Sequence, residues 1–237
     1  METSRLDKLL CACSDLTRSE ARAAIKAGRV KVNGKTVNLI DLKVDVKETK
    51  LSLDGRELGE GGNVYIMMNK PQGYISATED TKEKTVLDLL EKDLSGAGLF
   101  PVGRLDKDTT GLLLLTNDGS FAHMVTSPKK LIEKVYEAKV DGTLYEEDVE
   151  AFKQGIILRD GTKCLSSVLE IDSDDKSLCK VKICEGKYHQ VKRMLASRGA
   201  PVLTLKRLSI GRLKLDESLQ IGEYRKINQK EKDAIFN

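Results

Sequence analysis

Tryptophan is absent from this chain of 237 residues, histidine occurs twice, and the five cysteines include no Cys-x-x-Cys pair. With no paired thiols, His123 and His189 leave no zinc-ligand spacing. An odd number of cysteines without framework spacing points to reduced thiols rather than a disulfide scaffold. No apolar run approaches a membrane span, and the first residues lack the apolar core of a secretory signal. A cytoplasmic protein that does not engage a membrane is therefore expected. The phosphate loop Gly-x-x-x-x-Gly-Lys-Ser/Thr, the dinucleotide fingerprint Gly-x-Gly-x-x-Gly and the serine elbow Gly-x-Ser-x-Gly are also missing. Chemistry built on ATP, NAD or a serine nucleophile loses its usual footholds, and no cofactor or metal is expected.

Charge is plentiful but nearly balanced, 40 basic against 37 acidic residues for a net +3. Its placement is uneven. Residues 1–58 hold 12 Lys/Arg against 9 Asp/Glu, so the N-terminal quarter carries the whole excess. A localised basic patch is a better sign of a polyanion partner than an overall pI.

The spacing of Leu6, Leu9, Leu10 and Cys13 predicts a helix over residues 5–13. Thr17 and Glu20 form a Ser/Thr-x-x-Glu capping box opening a second helix that Gly28 can close. On it Ala21, Ala24 and Ile25 face inward, while Arg18, Arg22 and Lys26 recur every four residues as an outward stripe. Arg29, Lys31 and Lys35 extend the stripe, and Asn33-Gly34 between two short β patterns is a strong hairpin signal. Helix, basic helix and hairpin in this order resemble the S4 domain, a small RNA-binding module. The resemblance implies that Arg18, Arg22, Lys26, Arg29 and Lys31 grip structured RNA through its backbone. Charge spacing alone fits a solvated helix face equally.

Gly59-Glu-Gly-Gly-Asn63 has the composition of a flexible linker and divides a domain at 1–58 from one at 64–237. The second is organised on Gly103 to Gly119, where Arg104, Asp106, Lys107, Asp108, Thr109 and Thr110 precede four leucines, Leu112 to Leu115. A charged loop is joined there to a strand that reads as fully buried. Asp106-x-Asp108-x-Thr110-Gly111 imitates half of a calcium loop, but Asn117 stands where the bidentate Glu is needed. A carboxylate such as Asp106 can act as nucleophile, acid or base, although a turn or helix cap is the commoner use of a lone Asp. Around it, strands (Val64 to Met68, Glu133 to Val140, Leu178 to Cys184, Val202 to Leu205, Ile210 to Leu215) interleave with short helices, one starting within Glu185 to Leu195. Without a regular βαβ period this predicts an α+β fold with a largely antiparallel or mixed sheet.

Gly103-Arg-Leu-Asp-Lys-Asp-Thr-Thr-Gly-Leu-Leu-Leu-Leu-Thr closely resembles the signature of pseudouridine synthases of the RsuA/RluA grouping. Asn69-Lys-Pro-Gln-Gly73, the strand around Glu133-Lys-Val-Tyr-Glu137, and Gly186-Lys-Tyr-His-Gln-Val-Lys-Arg-Met194 agree in the same order. The resemblance implies isomerisation of uridine to pseudouridine within RNA, with Asp106 acting at the ribose and no cofactor. It implies that Tyr136 meets the flipped base and that Lys192 pairs with Asp106, with the adjacent Arg193 as the other candidate. Arg104 suits RNA phosphate, or alternatively an internal salt bridge. Thr109-Thr110-Gly111 and Thr126-Ser127-Pro128-Lys129 look most like the branch that modifies small-subunit (16S) ribosomal RNA. The expected partner is therefore 16S RNA, alone or in a partly assembled subunit, with the protein as a monomer. A large-subunit (23S) synthase and a non-catalytic RNA-binding assembly factor are the competing readings.

Overall fold

The computed structural model describes every residue except 1, 2, 15, 47, 59–62, 92, 93, 95, 96 and 237. The expected linker, Asn63 apart, lies outside the described residues. Two compact units are distinguished: Met1–Tyr65 with Leu90–Phe100 and Thr116–Asp118, and Ile66–Leu89 with Pro101–Leu115 and Gly119–Asn237. The first unit thus includes two short stretches from the middle of the chain.

In the first unit β1 (Thr3–Arg5) leads into α1 (Leu6–Cys13) and α2 (Arg18–Lys26). Then come β2 (Val30–Val32), β3 (Lys35–Thr36), β4 (Lys43–Asp45), β5 (Leu51–Leu53) and β6 (Arg56–Glu57). The capping box is formed, with the Glu20 N–H donating to Thr17 Oγ1 and the Thr17 N–H to the Glu20 carboxylate. Leu6, Leu9, Leu10, Ala21, Ala24, Ile25, Val30, Val44 and Leu51 make the core, so the apolar faces read from spacing are the buried ones. Asn33 and Gly34 both take positive φ, 49° and 80°, as the tight hairpin requires. The additional strand β1 pairs antiparallel with β4. Three residues of mixed exposure carry too little pattern for a reading by alternation.

The second part of the chain runs β7 (Tyr65–Lys70), β8 (Phe100–Pro101), β9 (Thr110–Thr116), α3 (Gly119–Thr126), β10 (Lys134–Val140), α4 (Glu146–Gln154) and β11 (Val168–Ile171). It continues β12 (Leu178–Ile183), α5 (Gln190–Ser197), β13 (Val202–Ile210), β14 (Leu213–Lys214), β15 (Tyr224–Lys226) and α6 (Gln229–Ala234). Among the described residues the sheet has the order β11-β12-β10-β13-β9-β7-β15, with β14 beside β13 and β8 beside β9. β13 pairs parallel with β9 and antiparallel with β10, so the sheet is mixed and the α+β reading holds. Leu112 to Leu115 are at most 1 % exposed, which makes β9 the buried spine expected.

One expectation shifts. Val202 to Leu205 and Ile210 to Leu215 are not separate strands: β13 runs through both starts, and a turn at Gly211 with φ 56° sends the chain into β14. The helix expected to start within Glu185 to Leu195 is α5, which begins at Gln190 after a loop that ends on His189, held in the left-handed region at φ 45°. The Gln190 side chain accepts from the Lys187 N–H and donates to Glu185, so the loop makes its own bonds in place of a first turn.

Candidate active site

β9 must approach β13 closely where the charged loop ends. Gly111 has φ 97°, and a Cβ there would stand 2.3 Å from the Arg207 carbonyl oxygen. Only glycine meets both conditions. The loop preceding it is cradled by the segment after β7. Lys70 is fully buried, and its ammonium donates to the carbonyls of Asp106 (3.1 Å), Thr109 (3.0 Å), Lys107 (3.4 Å) and Pro71 (3.0 Å). Ser76 Oγ accepts from the Leu105 N–H and donates to its carbonyl, and the Gly73 N–H donates to Lys107. Burial pulls the Lys70 ammonium down to about 8, although Asp108 and Asp106 oppose this. That Asn69 to Gly73 clamps the loop is visible solely in three dimensions.

The clamp aims Asp106 into a cleft of about 520 Å³ that Arg104 and Tyr136 also line. Asp106 is no turn cap: its carboxylate faces Lys192 Nζ at 3.0 Å and His189 Nε2 at 3.5 Å. Lys192 projects from the first turn of α5 and also bonds Asp108. Burial alone would lower the Lys192 ammonium, but the hydrogen bonds with Asp108 and Asp106 more than offset it and leave it above the ordinary lysine value. The same bond with Lys192 holds the Asp108 carboxyl below the usual range. Of the two adjacent bases it is therefore Lys192 that reaches Asp106. Arg193 turns away to Asp160 and to the Tyr188 carbonyl.

Tyr136 sits on β10, 9 % exposed, opposite Val181 on β12 and Arg207 on β13. Arg104 is exposed at the cleft and forms no ion pair among the described residues. His189 and Asp108 are additions that sequence reasoning missed. Tyr188, 71 % exposed, stacks on His189 with ring centroids 3.8 Å apart.

A carboxylate fixed between two basic groups, beside an aromatic ring in an open cleft, can act on a nucleoside. Comparison with known proteins decides the family. Residues 64–197 match the RNA pseudouridylate synthase family and residues 4–49 match the S4 domain. The chain belongs to the RNA pseudouridine synthases. Its reaction is the isomerisation of uridine to pseudouridine in RNA, and its N-terminal S4 domain is an RNA-binding module. It is 42 % identical over 229 residues to the uncharacterized RNA pseudouridine synthase YtzG of Bacillus subtilis, covering 96 % of each chain. It is 42 % identical over 234 residues to the ribosomal small subunit pseudouridine synthase A of Vibrio cholerae, covering 98 % of this chain and 99 % of that one. A crystal structure of a pseudouridylate synthase superposes with a TM-score of 0.70 at 38 % identity, covering 98 % and 99 % of the two chains.

The S4 stripe divides in two. All five cations are exposed, but Arg22 donates to Asp7 and Arg29 to Asp54, whereas Arg18, Lys26 and Lys31 form no ion pair among the described residues. Asp7 is 3 % exposed and bridges Arg5 and Arg22. Burial pushes its carboxyl up, but the two guanidiniums outweigh that and hold it below the usual range.

Proposed function

We propose that this synthase modifies one uridine of small-subunit (16S) ribosomal RNA, acting as a monomer on the RNA or on a partly assembled subunit. Support comes from the near-full-length likeness to proteins named ribosomal small subunit pseudouridine synthase A in several Vibrio species. The observation that carries the mechanism is the Asp106 carboxylate held 3.0 Å from Lys192 at the cleft.

In this reading the target uridine leaves the RNA stack and enters the cleft, since its C1′ is otherwise out of reach. Tyr136 offers the base an aromatic surface. Asp106 acts at the ribose, either by attacking the anomeric carbon or by taking a sugar proton as the bond to uracil N1 breaks. The freed base turns and rejoins through C5, with release of Asp106 from the anomeric carbon or return of the sugar proton, and the C5 proton is lost while N1 takes one up to give pseudouridine. Lys192 is a positioning residue: its ammonium, 3.0 Å from the Asp106 carboxylate, holds that side chain at the cleft. Arg104, without an ion pair among the described residues, suits a phosphate of the flipped nucleotide. The exposed Arg18, Lys26 and Lys31 supply backbone contacts from the S4 domain, with Arg22 and Arg29 sharing their charge with Asp7 and Asp54.

The test is to map pseudouridines in 16S and 23S RNA from cells lacking the protein. One missing 16S site is expected. A missing 23S site instead would move the substrate to the large subunit, and two unchanged maps would contradict the proposal.

A further inference from the structure

One end of the cleft holds two cations that the uridine reaction leaves unused. Lys134 and Tyr136 are two residues apart on β10 and so share a face, and Arg207 lies opposite Tyr136 on β13. All three side chains line the same cleft as Asp106. Arg207 is 4 % exposed; its Nε donates to the Leu112 carbonyl at 2.7 Å, but its buried Nη2 has no hydrogen-bond partner among the described residues. No carboxylate pairs with Lys134 or Arg207 among the described residues.

Buried polar groups are nearly always bonded, and a buried charge without a counter-charge is costly. Here two like charges stand close enough that Arg207, after burial itself, helps hold the Lys134 ammonium below the ordinary lysine value. Val102, Val125 and Ile210, all buried, provide the apolar walls. A neutral carbonyl would satisfy one donor and leave the repulsion. An oxyanion with several acceptors offsets both, and Arg is the side chain suited to phosphate.

We propose that Lys134 and Arg207 form a phosphate subsite of the Asp106 cleft, taking one backbone phosphate of the RNA strand beside the uridine being isomerised. The substrate identity rests on the proposed function; the anion site itself does not. A phosphate anchored there fixes the flipped nucleotide from its backbone while Tyr136 holds the base. Uridine monophosphate should then bind better than uridine.

The test uses the full chain and three probes. Inorganic phosphate is titrated against chloride at constant ionic strength while NMR follows the Arg207 Nε–H. A saturable shift with phosphate alone is expected, with affinity weakened about tenfold in Lys134→Gln, the loss of one charge-assisted bond. Lys134 is only partly buried, so this variant tests the site without disturbing the fold as a change at Arg207 would. Uridine is then compared with its 5′- and 3′-monophosphates; one monophosphate is expected to bind more tightly, with the advantage lost in Lys134→Gln. An Arg207 signal equally indifferent to phosphate and chloride, or phosphate affinity unchanged in Lys134→Gln, overturns the site. Equal affinity of uridine and both monophosphates overturns its assignment to the RNA backbone. Phosphate binding as expected in a protein that makes no pseudouridine supports the site and locates the failure in the functional reading.

Discussion

Lys192 holds two carboxylates, Asp106 and Asp108, that come from a loop more than eighty positions earlier in the chain. Replacing it by Met removes the cation beside Asp106 without shortening the side chain much. Turnover is expected to fall about 10- to 100-fold, the worth of one charge-assisted hydrogen bond. Lys192→Arg, which keeps a cation at this position, should retain more turnover than Lys192→Met. Equal turnover in the two variants would contradict a role for the charge. Asp106, Tyr136 and Lys192 were legible because each sits in a motif whose order along the chain is distinctive. His189 and Asp108 were not, since one depends on a left-handed residue at the start of α5 and the other on a long-range contact. The choice between Lys192 and Arg193 was likewise a matter of helix phase, which the start of α5 at Gln190 sets.

The clamp around the Asp106 loop is the element on which the site stands. Lys70 spends its ammonium on four backbone carbonyls from two segments. Lys70→Met leaves those acceptors without their donor and should cost about 2 kcal/mol or more of stability, read by urea unfolding. The pH dependence gives a second signature. With the folded value near 8 and the ordinary value 10.5, the unfolded chain keeps a proton that the folded chain has released between those limits. This group's contribution is thus fully favourable above pH 10.5 and is lost as the pH falls through 8. The wild-type protein should gain stability relative to Lys70→Met on going from pH 8 to 10.5; a constant difference across that window would contradict the burial of a strained ammonium. Alternation revealed β10 and β12, and the unbroken leucine run revealed β9, but neither pattern says anything of a lysine pointing into the interior. By composition rules Lys70 should be outside.

At the scale of the whole molecule, an RNA-gripping surface and a reaction cleft are built from different kinds of sequence signal. The S4 domain was readable almost residue by residue, through its capping box, apolar faces and Asn-Gly turn. What the sequence could not tell is which stripe cations are already committed. Arg18→Ala with Lys26→Ala should weaken RNA binding and flatten its dependence on salt by about one unit of slope per lost phosphate contact. Arg22→Ala should instead expose the cost of the buried Asp7, as a loss of stability. Filter binding over a salt series and thermal unfolding separate the two; unchanged affinity and slope in the double variant would return the stripe to a solvated face. The sheet was legible as mixed and α+β, while its order was not, because the parallel contact of β13 with β9 joins strands distant in sequence through the backbone at Gly111. The central claim, that Asp106 carries the isomerisation, is tested most directly with purified wild-type and Asp106→Asn protein on transcribed 16S RNA. Pseudouridine is quantified at nucleotide resolution and RNA affinity is measured in parallel. The account predicts one new pseudouridine with the wild type, none with Asp106→Asn, and similar affinity for both. Pseudouridine formed by Asp106→Asn would contradict it.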